Sequence, residues 1–284
     1  MTSSRNIDVA SAERPSGPVV SLVIPAYNEE ATLEEVVNEA INAASLVTAN
    51  YEVVIVNDGS ADRTGKIADR LASHHEAVRA VHHTSNRGFS GAMQSCIENA
   101  IGDYVFLGPA DGQARYEDLV CFWELIDRYE LIFSEQMERK DGLHRKLASA
   151  VFYTFFRVLF GERLPQFSAT FLFRRDAIPQ FPVAVRPDAS NFLPVLYLTA
   201  ISQGHRICVI ATPSGPRRGG VAKGSSVSNA VRTMTEDVTL WWRLRIRHGR
   251  RWSTVTAPSQ SPPGPSAPTD AQHAPSPVES VASR

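Results

Sequence analysis

Three carboxylates in the first half of the chain stand where chemistry can be done. Asp58 and Asp62 lie within Val53 to Thr64 (VVIVNDGSADRT), and Asp111 lies in Ala110-Asp111-Gly112-Gln113. The apolar, β-branched run Val53 to Val56 stops at Asn57-Asp58-Gly59-Ser60. A buried parallel strand ending this way delivers Asp58 to the carboxyl edge of an open α/β sheet, where such sheets bind ligands. An earlier run, Val19 to Ile24, ends in an equally polar turn, Pro25-Ala26-Tyr27-Asn28-Glu29-Glu30, so two successive strand ends present polar groups at one place. Asp111 and Gln113 offer hard oxygen donors that suit Mg²⁺ or Mn²⁺. In Asn86-Arg87-Gly88-Phe89-Ser90-Gly91, the residues Asn86, Gly88 and Gly91 form a turn before a helix in which backbone can approach a phosphate closely. Each feature also has a plainer reading, since polar turns cap helices and glycine turns start them.

Downstream, Arg139-Lys140 precedes a helix on which Arg145 and Ser149, four residues apart, share a face and together suit one phosphate. A solvated basic face explains them equally well. Trp241 to Trp252 (WWRLRIRHGRRW) interleaves aromatics with arginines. That composition suits an anionic membrane surface, and it also fits an amphipathic element covering the core or a nucleic-acid contact. The chain has no nucleic-acid fold signature, so nucleic acid is the disfavoured partner.

These residues need a scaffold. Apolar runs predict strands at Val19 to Ile24, Tyr51 to Val56, Val78 to His82, Tyr104 to Leu107, Leu131 to Ser134, Phe171 to Arg174 and Arg206 to Ala211. Between them Leu33, Val36, Val37, Ala40, Ile41 and Ala44 mark one face of a helix that Asn28 would cap, with Glu29 and Glu30 in its first turn. Further helices are predicted at Asp62 to Ser73, Ser90 to Ile101, Tyr116 to Tyr129, Leu143 to Phe160 and Phe192 to Gln203. On the long helix, Leu143, Leu147, Ala150, Val151, Thr154, Phe155, Val158 and Leu159 form the expected core stripe; Arg145, Ser149, Phe152 and Phe156 share another face, suited to packing or to a membrane surface. The alternation predicts an α/β fold with a mainly parallel sheet flanked by helices.

The motifs PAYNEE, VNDGSADRT, NRGFSGAM and ADGQ, in that order from Val19 to Asp118, resemble the family 2 glycosyltransferases of GT-A fold. The likeness is to the branch containing dolichyl-phosphate mannose synthases and bacterial polyprenyl-phosphate glycosyltransferases. The resemblance implies a GT-A (Rossmann-like) single catalytic domain that binds a nucleoside-diphosphate sugar. It assigns Pro25, Tyr27 and Glu29 to a base and ribose cradle, Asp58 to the nucleobase, and Asn86, Gly88 and Gly91 to the phosphate side. It assigns Asp111, with Gln113, to the metal and the departing diphosphate. Arg217 and Lys223, in PRRGGVAKGSS, lie where relatives have a basic glycine-containing loop that suits closure over the donor; a surface loop without a role fits them equally. Arg139, Arg145 and Ser149 correspond to acceptor-phosphate residues of polyprenyl-phosphate enzymes. The chain departs from its relatives at Pro109, where the family usually has Asp, and at Leu164 to Ser168, where relatives often have an acidic residue and a cysteine. The implied reaction is inverting transfer to a polyprenyl phosphate at the cytosolic membrane face. A soluble hydroxyl acceptor, with Asp188 as base, and a non-catalytic nucleotide-sugar binder are the alternatives.

Length and charge bound these readings. With 284 residues the chain can bury one large core, and 29 basic against 30 acidic residues argue against a general polyanion binder. The late segment is locally basic: Arg217 to Trp252 holds nine Lys or Arg against Glu236 and Asp237. The expected organisation is a loose arm (1–18), a donor-binding half (19–134), an acceptor-side half (135–252) and a tail (253–284) whose Pro, Ser and Ala predict disorder. Cys96, Cys121 and Cys208 are scattered and read as reduced core residues. With no secretory leader and no run of about 20 apolar residues, the expected location is cytoplasmic, peripheral at the inner face of the membrane. The absence of Gly-x-Gly-x-x-Gly and of a Gly-Lys-Ser/Thr turn argues against a dehydrogenase and a phosphate-loop nucleotidase. A Gln-x-x-Arg-Trp motif of processive synthases is also missing.

Overall fold

A computed structural model describes residues 19–136, 143–161, 165–177, 192–212, 235–239 and 241–242. The expected arm and tail, and the candidate residues Arg139, Asp188, Arg217 and Lys223, lie outside the described residues. Seven strands form one sheet: β1 (Val20–Ala26), β2 (Tyr51–Asn57), β3 (Val78–His82), β4 (Tyr104–Leu107), β5 (Leu131–Gln136), β6 (Phe167–Arg174) and β7 (Ile207–Thr212), in the order β3-β2-β1-β4-β6-β5-β7. β3, β2, β1 and β4 are mutually parallel, β6 runs antiparallel between β4 and β5, and β7 is parallel to β5.

The period-2 side-chain alternation of the strands divides the core into two layers. Leu22, Ile24, Val53, Ile55 and Phe106 pack beneath α1 (Leu33–Val47), α2 (Thr64–His74) and α4 (Asp118–Trp123). Val23, Val54, Val56, Val105 and Leu107 face α3 (Gly88–Asn99), α5 (Leu143–Phe160) and α6 (Phe192–Ser202). Continuous burial of β1 and β2 follows, because helices cover both sides of them.

The structure corrects four expectations. Asn28 does not cap α1: the helix begins at Leu33 with Thr32 at the cap position, its first turn carries Glu34 and Glu35, and Asn28 sits five residues before Leu33 at φ 56°. The expected helix Tyr116 to Tyr129 shortens to α4, because after Trp123 the bonds tighten to Leu125 N→Phe122 O and Arg128 N→Leu125 O before the chain enters β5. The stripe on α5 faces the other way: Phe156 is fully buried and Phe152 packs against the core, whereas Val158 is 81% exposed and Val151 is 55% exposed. Phe152 and Phe156 join the aromatic cluster of Phe133, Phe167 and Phe171, and the smaller β-branched Val151 and Val158 are left outside. Cys121 is exposed, unlike Cys96 and Cys208.

Opposite the strand C-termini, the sheet is held by buried charge. Glu52 accepts from Ser21 Oγ (2.5 Å), Ile101 N (2.8 Å) and Arg79 Nη2 (2.7 Å). Glu130, at the start of β5, takes Arg206 N at 2.7 Å and the Arg206 guanidinium. Burial alone would raise its carboxyl, but the Arg206 donors prevail and hold it below the usual range. No helix among the described residues is long and apolar enough to cross a membrane.

Candidate functional site

The C-terminal ends of β1, β2 and β4 meet at one rim because the strands are in register: Ala26 pairs with Asn57, Asn57 with His82, and Val23 with Leu107. Past the strands the turns stay joined. Asp58 N donates to Ala26 O at 2.9 Å, His83 N to Asn57 O at 2.9 Å and Ala110 N to Pro25 O at 3.3 Å. Asp58 therefore stands on one side of Pro25-Ala26-Tyr27, and Asp111 on the other.

The first two turns are laced together by their polar side chains. Ala61 N donates to Asn28 Oδ1 (2.9 Å), Asn28 N to Ser60 Oγ (3.0 Å), Glu29 N to Thr64 Oγ1 (2.8 Å) and Arg63 N to Glu30 Oε2 (3.0 Å). Asp62 accepts from Thr64 N at 2.9 Å and from Glu30 N at 3.2 Å. Burial pushes its carboxyl up, but these donors outweigh burial and hold it below the ordinary value. Asp62 and Glu30 thus shape the rim.

Gly59 is required where these turns meet the 83–88 turn. Its φ is +67°, and a Cβ there would lie 2.5 Å from the carbonyl carbon of Ser85 and 2.6 Å from the amide nitrogen of Asn86. Against this contact Asp58 is buried and collects three N–H groups. His83 Nδ1 lies 2.7 Å and Arg87 N 2.8 Å from Oδ1, and Gly88 N lies 3.0 Å from Oδ2. Gly88 N also reaches Asn86 Oδ1 at 3.0 Å, so Asn86 and Gly88 build this turn, while Gly91 is buried inside α3.

On the β4 side, Tyr116 Oη donates to Gly108 O at 2.5 Å and Thr32 Oγ1 to Ala110 O at 2.7 Å, fixing the backbone around Pro109. A Cβ on Gly108 would lie 2.8 Å from the Tyr116 ring, so the close approach needs glycine. Asp111 Oδ1 accepts from Gln113 N at 3.0 Å across Gly112, whose φ is 72°. The turn places Asp111 and Gln113 together, and their carboxylate and amide oxygens are hard donors fitting Mg²⁺ or Mn²⁺. Among the described residues no group of three His, Cys, Asp or Glu gathers as a metal cage. An ion held here would complete its coordination with oxygens of a bound diphosphate and water.

The rim continues onto β6, whose Phe171 pairs with Leu107 and so sets Thr170 level with Gly108. Thr170 Oγ1 is 3.3 Å from Asp118 Oδ2 and 2.9 Å from Ser134 Oγ, which donates to Thr170 O at 2.6 Å. Burial pushes the Asp118 carboxyl up to about 6, against the opposing influence of Arg115 and the Thr170 hydroxyl. Sequence reasoning passed over Asp118, Thr170, His83 and Ser95. Asp118 reads as a first-turn helix residue, and the others acquire meaning only from pairings 36 or more positions apart for Thr170 with Ser134, or 25 apart for His83 with Asp58. Arg145 and Ser149 fall on the first two turns of α5, where the backbone alone is described, so the predicted phosphate grip is an expectation for that part of the helix.

A sheet with this topology and rim defines the GT-A class, and comparison with known proteins adds the family. Residues 21–180 match the model of Glycosyl transferase family 2, and the chain belongs to that family. It is 29% identical over 179 residues to an undecaprenyl-phosphate 4-deoxy-4-formamido-L-arabinose transferase of Pectobacterium carotovorum, covering 62% of this chain and 54% of that protein. A protein of the same name from Pseudomonas aeruginosa is 29% identical over 214 residues, covering 74% and 61%. A dolichyl-phosphate beta-glucosyltransferase of Mus musculus is 33% identical over 107 residues, 35% of this chain and 33% of that one. The chain thus spans a little over half the length of the bacterial relatives it matches. Glucosyl-3-phosphoglycerate synthase of Mycobacterium tuberculosis, solved with phosphoglyceric acid, superposes with a TM-score of 0.56 at 21% identity, over 78% of this chain and 81% of that one. The same enzyme solved with Mn²⁺, UDP-glucose and phosphoglyceric acid gives 0.55 at 20% identity, over 78% and 80%. These structural likenesses establish the shared fold.

Proposed function

We propose that the chain is an inverting glycosyltransferase that moves a sugar from a nucleoside diphosphate to a polyprenyl phosphate at the cytosolic face of a membrane. The observation that carries the reading is the convergence of three turns, 25–30, 57–62 and 108–113, on one rim of the sheet of a family 2 chain. Pro25, Tyr27, Glu29 and Asp58 form the nucleoside side, the Asn86-to-Gly91 turn borders it, and Asp111 with Gln113 faces the diphosphate. A divalent cation held by Asp111 and Gln113 would neutralise the charge that develops on the departing diphosphate.

In the proposed reaction an acceptor phosphate oxygen forms a bond to the anomeric carbon as the bond from that carbon to the β-phosphate oxygen breaks. The nucleoside diphosphate leaves with the electron pair, and one displacement inverts the configuration. A phosphate acceptor is already anionic at neutral pH, so the transfer needs no general base. Arg139, Arg145 and Ser149 are the proposed grip on that phosphate, and Arg217 and Lys223 the proposed cover over the donor. Exposed Val151, Val158 and Trp242 support the membrane half of the reading, because apolar and tryptophan side chains settle at a lipid interface.

The decisive experiment is incubation with radiolabelled nucleotide sugars, Mn²⁺ and undecaprenyl phosphate. Label in the organic phase is the expected result; label confined to water-soluble hydroxyl acceptors would reject the lipid acceptor. A second reading, transfer to a soluble hydroxyl, is favoured by Asp118, a partly buried carboxyl with a pKa of about 6 at the rim, suited to accept a hydroxyl proton near neutrality. In that case Asp118→Asn would lower kcat at least tenfold, whereas lipid-phosphate transfer would keep its rate in the same variant.

A further inference from the structure

His83 and Ser95 have no part in the reading above, yet they form a buried chain ending on its central carboxylate. The His83 side chain is 7% exposed and Ser95 is 3% exposed. His83 Nδ1 is 2.7 Å from Asp58 Oδ1, its Nε2 is 2.8 Å from Ser95 Oγ, and Arg87 Nη1 donates to the same hydroxyl at 3.3 Å. The donor inventory gives the chain a direction. A carboxylate only accepts, so Nδ1 carries the hydrogen towards Asp58; in the neutral ring Nε2 then accepts from Ser95, whose oxygen accepts from the Arg87 cation. Backbone amides of Arg87 and Gly88 complete the set, so both Asp58 oxygens are held by donors of the protein.

We propose that His83 is a positioning residue for nucleobase recognition, holding Asp58 as a fixed acceptor that selects bases carrying an imide N–H. The inference rests on the donor-site reading above. Uracil and thymine offer N3–H and guanine offers N1–H to such an acceptor, whereas cytosine and adenine present a lone pair there and meet the carboxylate acceptor to acceptor. Three anchoring hydrogen bonds keep the carboxylate from rotating to suit the wrong base. Ser95 acts one bond further back, by fixing the tautomer and plane of the imidazole.

The test is the affinity of UDP, GDP, dTDP, CDP and ADP for the full chain, measured by calorimetry on the parent, His83→Ala, His83→Asn, His83→Gln and Ser95→Ala. The parent is expected to bind at least one of UDP, GDP or dTDP about tenfold or more above CDP and ADP. His83→Ala should cut that preference about tenfold. Asn places an amide N–H where Nδ1 stands and should restore most of it; Gln places its amide nearer Nε2 and should not. A merely structural histidine would weaken all five nucleotides alike and leave the ratio unchanged, and that result overturns the proposal. If His83→Ala does not fold, Asn against Gln decides, and equal ratios in those two variants count against it. A parent that binds none of the five rejects the donor-site reading and this inference with it; a selective parent whose ratio survives in every His83 variant rejects the inference alone.

Discussion

Asp58 and Gly59 depend on one another. The carboxylate reaches the amides of Arg87 and Gly88 because Gly59 lets the turn press against the backbone of Ser85 and Asn86. Gly59→Ala puts a methyl group into that backbone at a left-handed φ, and is expected to lower the unfolding free energy by roughly 2 to 4 kcal/mol in urea titrations. Asp118 makes the opposite prediction. Its folded pKa, about 6, stands above the ordinary value of about 3.9 because burial penalises the charge. The site therefore favours the protonated form: its stabilising contribution is full below about pH 4 and is lost as pH rises through 6. Asp118→Asn should raise the melting temperature at pH 7.5 and leave it unchanged near pH 4 in a thermal scan. Asp58 and Asp111 were legible as strand-end carboxylates because an apolar run ending in a polar turn marks them. The His83 that anchors Asp58, and the Asp118-Thr170 pair further along the rim, were not, since none of these residues carries a local pattern that sets it apart.

At the level of elements, periodicity located the strands well. Val78 to His82 and Tyr104 to Leu107 were found to the residue, because β-branched and aromatic runs bounded by polar turns leave little choice of ends. Periodicity found α5 with equal accuracy and chose the wrong face. The helix offers two apolar stripes, and which one turns inwards is decided by the side chains it packs against, not by the helix itself. Phe156→Ala is expected to cost about 3 to 5 kcal/mol by urea denaturation, whereas Val158→Ala should stay within about 0.5 kcal/mol. Liposome flotation then asks what the outer stripe does, and Val151→Asp with Val158→Asp should reduce recovery in the floating fraction if that face rests on lipid. Glu52 is an element-scale feature that sequence hides, since a lone Glu inside a strand reads as an exposed position. It ties β1, β2, β3 and the end of α3 together. Glu52→Ala leaves the Arg79 charge without its carboxylate and is expected to destabilise by about 3 kcal/mol while leaving nucleotide affinity unchanged.

For the whole molecule, the sheet divides at β6, the strand that runs against the other six. The parallel block β3-β2-β1-β4 comes from an unbroken stretch of chain, Val20 to Leu107, and the block β6-β5-β7 follows it in sequence. The first block carries the turns 25–30, 57–62 and 108–113, the second the Ser134-Thr170 side of the rim. A ligand that binds only the native state raises its apparent stability, so the correct nucleotide should shift the melting temperature of the parent and leave Asp58→Ala and Asp111→Ala unmoved. Alternation of strands and helices made the parallel block predictable. The reversal at β6 was not, because a short strand has no sequence mark for direction.

That reversal has an engineering consequence. All contact between the two blocks within the sheet runs along a single antiparallel seam of four residue pairs, Tyr104 with Arg174 through Leu107 with Phe171. On the proposed reading of the site, a hybrid gene spliced between residues 124 and 130 would carry one parent's nucleotide choice and another's acceptor choice. The match it must preserve at the sheet is four side chains long.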